Sequence, residues 1–168
     1  MGMSAYLKSL REACGSRLLV LPSVTGIVFD HDNRILLVHQ RDVGVWSTPG
    51  GAVEPNENPS NAVVREVWEE TGLLTEPTRI LGVFGGPECM ITYPNGDQAT
   101  YVTTVFECEV RAGTLRHASD ETIAARFVGK ADLPEYRTTV WARYVLPRLY
   151  GREGHGHFEP PSWQPPRV

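Results

Sequence analysis

The stretch that most constrains this chain is GAVEPNENPSNAVVREVWEETGL, residues 51–73, because it reads as a helix that carries like charges at helical spacing. Asn58 is placed to cap the helix, Pro59 suits its first position, and Gly72 stands where a helix-ending glycine belongs. At 100° per residue, Val64, Val67, Trp68 and Thr71 share one side and are expected to dock it on a sheet. Glu66, Glu69 and Glu70 fall on roughly the opposite side, within an arc of about 100° and at i, i+3 and i+4. Such pairs cost about 0.2–0.5 kcal/mol each even in water. Glu69 and Glu70 also lie near the negative end of the helix dipole. Arg65, four residues before Glu69, offsets only part of this charge. A solvated acidic face is the bland reading. The sharper one is a divalent cation that reverses the sign of the repulsion, since hard cations take oxygen ligands.

The rest of the chain bounds the alternatives. At 168 residues with 41% apolar content it can bury one core. The net charge of -4 has no basic block, which argues against nucleic acid as the main ligand. No signal peptide and no run of about 18 apolar residues is read, so no membrane partner is expected. Cys14, Cys89 and Cys108 form no CxxC pair, which disfavours a disulfide framework or a zinc site and leaves a cytoplasmic location as the default.

SAYLKSLREACG predicts an N-terminal helix within residues 1–16, capped by Ser4 and stopped by Gly15. VTGIVFD and RILLVHQ, flanking HDN, predict a hairpin in a buried sheet. Strands are expected at RILGVF, CMITYP, ATYVTTVFECEV and ARFVG, with PNGD as a hairpin turn. RTTVWARYVLPRLY predicts a closing helix that Pro147 ends or kinks. Residues 17–150 form the main domain. Residues 151–168, rich in Gly and Pro, are expected to be a disordered tail, and the two histidines of its GHGH are at most weak metal ligands. The pattern is α/β.

With those residues laid out, the 51–73 stretch resembles the Nudix box of the Nudix hydrolases. Seven identities and two apolar positions are all filled, on the order of one chance in a billion per window. The similarity extends over about residues 20–135. It implies a mixed β-sheet sandwiched between helices (α/β/α) and hydrolysis of the diphosphate linkage of a nucleoside diphosphate derivative, with Mg²⁺ or Mn²⁺ as cofactor.

Carried onto this chain, the resemblance makes Glu66, Glu69 and Glu70 metal ligands, with the Gly50 or Gly51 carbonyl as a further one. Arg65 joins the catalytic group by orienting the carboxylates, while Gly51, Glu57 and Gly72 shape the box. The general base is Glu66 or Glu121, with Glu66 slightly favoured. Arg41, Phe84 and Tyr93 are the candidate substrate contacts, with Asp97 nearby, and Trp46 and Trp68 are read as core. A homodimer is left open. The rival reading is a non-catalytic nucleotide sensor, against which the intact glutamates count. Isomerase chemistry would call for a cysteine between Gly15 and Glu88, where none occurs.

Overall fold

The computed structural model describes residues 4–150 and 156–157. Its regular elements are α1 (Ala5–Cys14), β1 (Leu19–Val28), β2 (Ile35–Gln40), β3 (Trp46–Ser47), β4 (Gly50–Ala52), α2 (Pro59–Thr71), β5 (Leu73–Phe84), β6 (Met90–Thr92), β7 (Gln98–Gly113), β8 (Thr122–Val128) and α3 (Val140–Leu149). Local signals set several of their ends. The Ser4 hydroxyl accepts from Leu7 N–H, and Gly15 closes α1. At α2, Asn58 holds the cap position without a side-chain bond, and Gly72 takes the left-handed conformation that favours glycine (φ 74°). The PNGD turn closes β6 onto β7 through Tyr93 N–H to Asp97 O at 2.9 Å. Pro147 is accommodated inside α3.

The strands form two sheets. One has the order β4-β1-β7-β5, with β6 also on β7, and the other the order β3-β2-β8. Because β1 runs antiparallel to β4 and parallel to β7, the larger sheet is mixed. The expected hairpin around HDN does not form. The turn itself closes, with the Asp30 carboxylate accepting from the N–H groups of Asp32 and Arg34, and Phe29 bridges Ile35. Beyond that point the two strands part into different sheets.

The physical reason lies in strands that are apolar on both faces. Val24, Val28, Leu36 and Val38 pack with Ala62, Val63 and Val67 of α2. Ile27, Ile35 and Leu37 pack on the other side with Ala142, Val145 and Leu146 of α3. Both sheets are therefore covered by helices on opposite faces, the α/β/α arrangement, and a strand buried on both faces carries no alternation to specify its neighbour.

The docking face of α2 differs from the expected one. Ala62, Val63, Glu66, Val67, Glu70 and Thr71 are buried, whereas Trp68 is 46% exposed. At Gly26 on β1 the helix approaches so closely that an added Cβ would stand 2.7 Å from a Val67 methyl carbon. That approach rotates Glu66 and Glu70 into the protein and Trp68 out of it. Trp68 is thus a surface ring beneath Arg116, not core, while Trp46 is half-buried, stacked on His39 and beneath Arg126.

Of the expected tail, Gly156 and His157 are described, and His157 is tied down. Its N–H donates to Leu81 O at 2.8 Å, its carbonyl accepts from Val83, and its ring stacks on Phe84. His155 lies outside the described residues. Cys89 and Cys108 are buried and Cys14 half-buried, and all three are free thiols. Burial pushes the Cys108 thiol up to about 12. Among the described residues no helix is long and apolar enough to cross a membrane.

Candidate active site

Glu66 is 4% exposed and Glu70 1%, which is unusual for carboxylates at neutral pH. Burial raises the Glu66 carboxyl to about 7; Arg65 opposes the rise, and the charges of Glu69 and Glu121 add to it. Burial likewise drives Glu70 well above the usual range, helped by the charges of Glu66 and Glu121, while the Gly50 N–H opposes the rise. A buried carboxylate beside others is costly unless a cation or several donors hold it.

Arg65 is the organising cation. Its Nε and Nη2 grip both oxygens of Glu57 at 2.9 Å. Nη1 reaches Glu66 Oε1 at 2.8 Å and Glu69 Oε2 at 3.2 Å, and Nη2 also donates to the Ala52 carbonyl. The bond to Arg65 holds the Glu57 carboxyl below its ordinary value. Glu57 in turn accepts from Glu54 N–H, closing the loop before α2. Glu70 is held separately, accepting from Gly50 N–H at 3.0 Å and from the Gln40 amide at 3.4 Å.

Gly50 therefore meets Glu70 through its N–H, and any Cβ there would collide with the Val24 carbonyl. Gly51 is buried in the antiparallel pairing of β4 with β1. At Gly72 a Cβ would meet Arg116.

Arg65 Nη1 gathers Glu66 and Glu69, while Gly50 and Gln40 hold Glu70 separately, and the three carboxylates do not converge tightly. Among the described residues, the cluster whose ligand atoms lie within 4.8 Å of one another is Asp30, His31 and Asp32, on the turn after β1. There Asp30 and Asp32 are already paired with Arg34 and lie open to solvent or half-buried, so those carboxylates lack the buried, under-compensated charge of the α2 pair. By that criterion the α2 face is the one whose chemistry fits a divalent ion: hard oxygen donors, buried, with more negative charge than the protein neutralises.

Glu121 joins them. It lines the same cavity of about 680 Å³ as Arg65, Glu66 and Glu69, and its charge acts on both Glu66 and Glu70. Arg41, a candidate substrate contact, donates to the carbonyls of Ser119 and Asp120, and its own N–H bonds Glu121 O. It holds the loop that carries Glu121. Phe84 is corrected too: it is buried in the core against Trp141 and His157. Tyr93 lines a second cavity, with its phenol bonded to that of Tyr101 at 2.8 Å. Asp97 pairs with Arg11 of α1.

Two residues that the sequence reading missed also hold the site. Arg116 donates to the Trp68 and Glu69 carbonyls, capping the end of α2. Gln40 reaches Glu70 from the end of β2. Neither lies in a motif, and only the tertiary fold brings them near.

The fold is thus a mixed α/β/α sandwich with an acidic helix docked beside a strand that begins with two glycines. The NUDIX domain family model matches residues 20–149, and the chain belongs to that family. It is 33% identical over 153 residues to a MutT-like protein of Streptomyces ambofaciens, covering 91% of this chain and 92% of the relative. It is 36% identical over 124 residues to an ADP-ribose pyrophosphatase of Methanocaldococcus jannaschii, covering 71% and 69%. The crystal structure of a MutT protein from Methanosarcina mazei superposes with a TM-score of 0.64 at 25% identity, covering 79% of this chain and 94% of that one.

Proposed function

We propose that this chain is a divalent-metal-dependent pyrophosphohydrolase that cleaves the diphosphate linkage of a nucleoside diphosphate derivative. The single observation that carries the reading is the burial of Glu66 and Glu70 at 4% and 1% exposure on the helix that matches the family's box. The pyrophosphatase name of the Methanocaldococcus relative supports the reaction class.

Water attacks one phosphorus, the bond from that phosphorus to the bridging oxygen breaks, and the bridging oxygen leaves with the other phosphate. A nucleoside monophosphate and the phosphorylated remainder of the substrate result, the remainder being pyrophosphate when the substrate is a nucleoside triphosphate. Glu66, Glu69 and Glu70 would hold Mg²⁺ or Mn²⁺, with the Gly50 carbonyl as a further donor. When bound, the ion offsets charge on the phosphoryl oxygens and makes water a better nucleophile at neutral pH.

The chain's own side chains do the positioning. Arg65 fixes Glu66 through Oε1 and leaves Oε2 to take the proton from water. Gly50 and Gln40 aim Glu70. Arg41 keeps Glu121 against the cavity, so Glu121 is the second candidate for the proton acceptor. Nothing observed favours the sensor reading.

The test is a panel of dinucleotides, sugar nucleotides and nucleoside triphosphates, incubated with Mg²⁺, Mn²⁺ or EDTA and read for nucleoside monophosphate. Release with metal and none in EDTA is expected. A silent panel with both metals would point to the sensor instead.

A further inference from the structure

One wall of the carboxylate cavity comes from α1. Ser4, which caps that helix, and Leu7 within it line the cavity together with Glu66, Glu69 and Glu121. The family match begins at residue 20, so this wall is built from outside the matched domain.

The helix is loosely held. Leu7, Leu10, Arg11 and Cys14 form a half-buried stripe, and no residue of α1 is buried. Beneath the stripe lies another cavity, of about 280 Å³, lined by Leu7, Arg11, Leu21, Tyr93, Ala99 and Tyr101. Close-packed interiors hold few voids larger than a water, so α1 rests on a gap where a seated helix would rest on side chains. Among the described residues, its side-chain bonds to the sheet all come from Arg11. Nη2 donates to Gln98 O at 2.7 Å, and Nε pairs with Asp97 at 3.5 Å, with both side chains largely shielded from water. At the far end Gly15 takes a φ of 62°, with no atom within 4 Å of where a Cβ would stand. A glycine there leaves the chain free to pivot. An element with few buried contacts and one polar tie opens at low free-energy cost, and lids are drawn from such elements.

We propose that α1 is a lid on the carboxylate cavity, swinging about Gly15 to admit a nucleotide and latched shut by Arg11 on Asp97 and the Gln98 carbonyl. The inference rests on the pyrophosphohydrolase reading, because the cavity it covers is the one assigned to the diphosphate. Closure brings Leu7 over the bound nucleotide and keeps bulk water from it.

The experiment is millisecond-quench hydrogen exchange on the full chain, comparing wild type with Asp97→Asn. Arg11 also donates to Gly15 O and Arg17 O, so changing it would loosen the helix end itself; Asp97→Asn weakens the latch from the other side. The probe is Mn²⁺ with α,β-methylene-ADP, whose P–C–P bridge resists hydrolysis, or, if that does not bind, any panel nucleotide held at saturating turnover. In free wild type, α1 amides should exchange at least about tenfold faster than those of α2 after correction for intrinsic rates. The bound probe should slow α1 at least about fivefold and leave α3 unchanged. Asp97→Asn should speed α1 exchange about three- to tenfold in the free protein without moving α2, and raise KM by a similar factor while kcat holds within about twofold. Thermal melts verify folding, and if the variant does not fold, the wild-type comparison decides alone.

Exchange in α1 that a calorimetrically bound nucleotide leaves unmoved overturns the lid and spares the hydrolase. So does α1 exchange as slow as that of α2 in the free protein, or equal in wild type and folded Asp97→Asn. No nucleotide binding and no turnover under either metal removes the hydrolase, and the lid with it.

Discussion

At Glu66 and Glu70 the chain keeps two carboxylates where water barely reaches them, with Arg65 paired to the first and only the Gly50 N–H and the Gln40 amide on the second. Under the proposed mechanism Glu70→Gln should lower kcat at least about a thousandfold while circular dichroism stays native. Glu66→Gln should cost more activity than Glu121→Gln; the reverse order in steady-state assays would move the proton acceptor to the loop before β8. Arg65→Ala removes the cation shared by Glu57, Glu66 and Glu69 and should destabilise the fold by on the order of 2 kcal/mol in urea unfolding. Arg65→Lys should recover little, because a lysine cannot make the paired grip on Glu57. The acids and Arg65 were legible in the sequence because their spacing is periodic. Arg116 and Gln40 were not, since each meets α2 or Glu70 from a distant element.

Among the elements, α2 decides the site, and its rotation against β1 is set at Gly26. An added methyl there would meet Val67 and Val63, so Gly26→Ala should cost about 1–3 kcal/mol by overpacking. The double change with Val67→Ala should recover part of that loss, a coupling visible in a double-mutant cycle. The caps at Ser4 and Gly72 and the turn at Gly96 could be read from the sequence because each depends on a few adjacent residues. The helix's buried face could not, because Trp68 and Val64 are as apolar as Val63, and only the glycine on the facing strand selects which of them goes inside. The hairpin misreading has a similar origin. Both β1 and β2 are apolar on both faces, so local pattern finds the strands without assigning their partners.

For the whole molecule, the buried pair ties stability to pH and, under the proposed mechanism, to metal. In the metal-free protein the folded state holds the Glu66 proton up to about pH 7, whereas the unfolded chain releases it near the ordinary value of 4.5. Between those values the native state binds more protons than the unfolded one, so stability falls as pH rises. Urea midpoints in EDTA should therefore decline from about pH 5 to pH 7, and Glu66→Gln should flatten the slope. The most direct test of the central claim is the melting temperature of wild type and Glu70→Gln, each in EDTA and in saturating Mn²⁺. Wild type should gain about 5–10 °C with Mn²⁺, as expected for a ligand near a hundred times its Kd, while Glu70→Gln should melt no lower than wild type in EDTA and gain little from the ion. A wild-type melt that Mn²⁺ leaves unmoved would contradict the claim that these acids are buried for a cation.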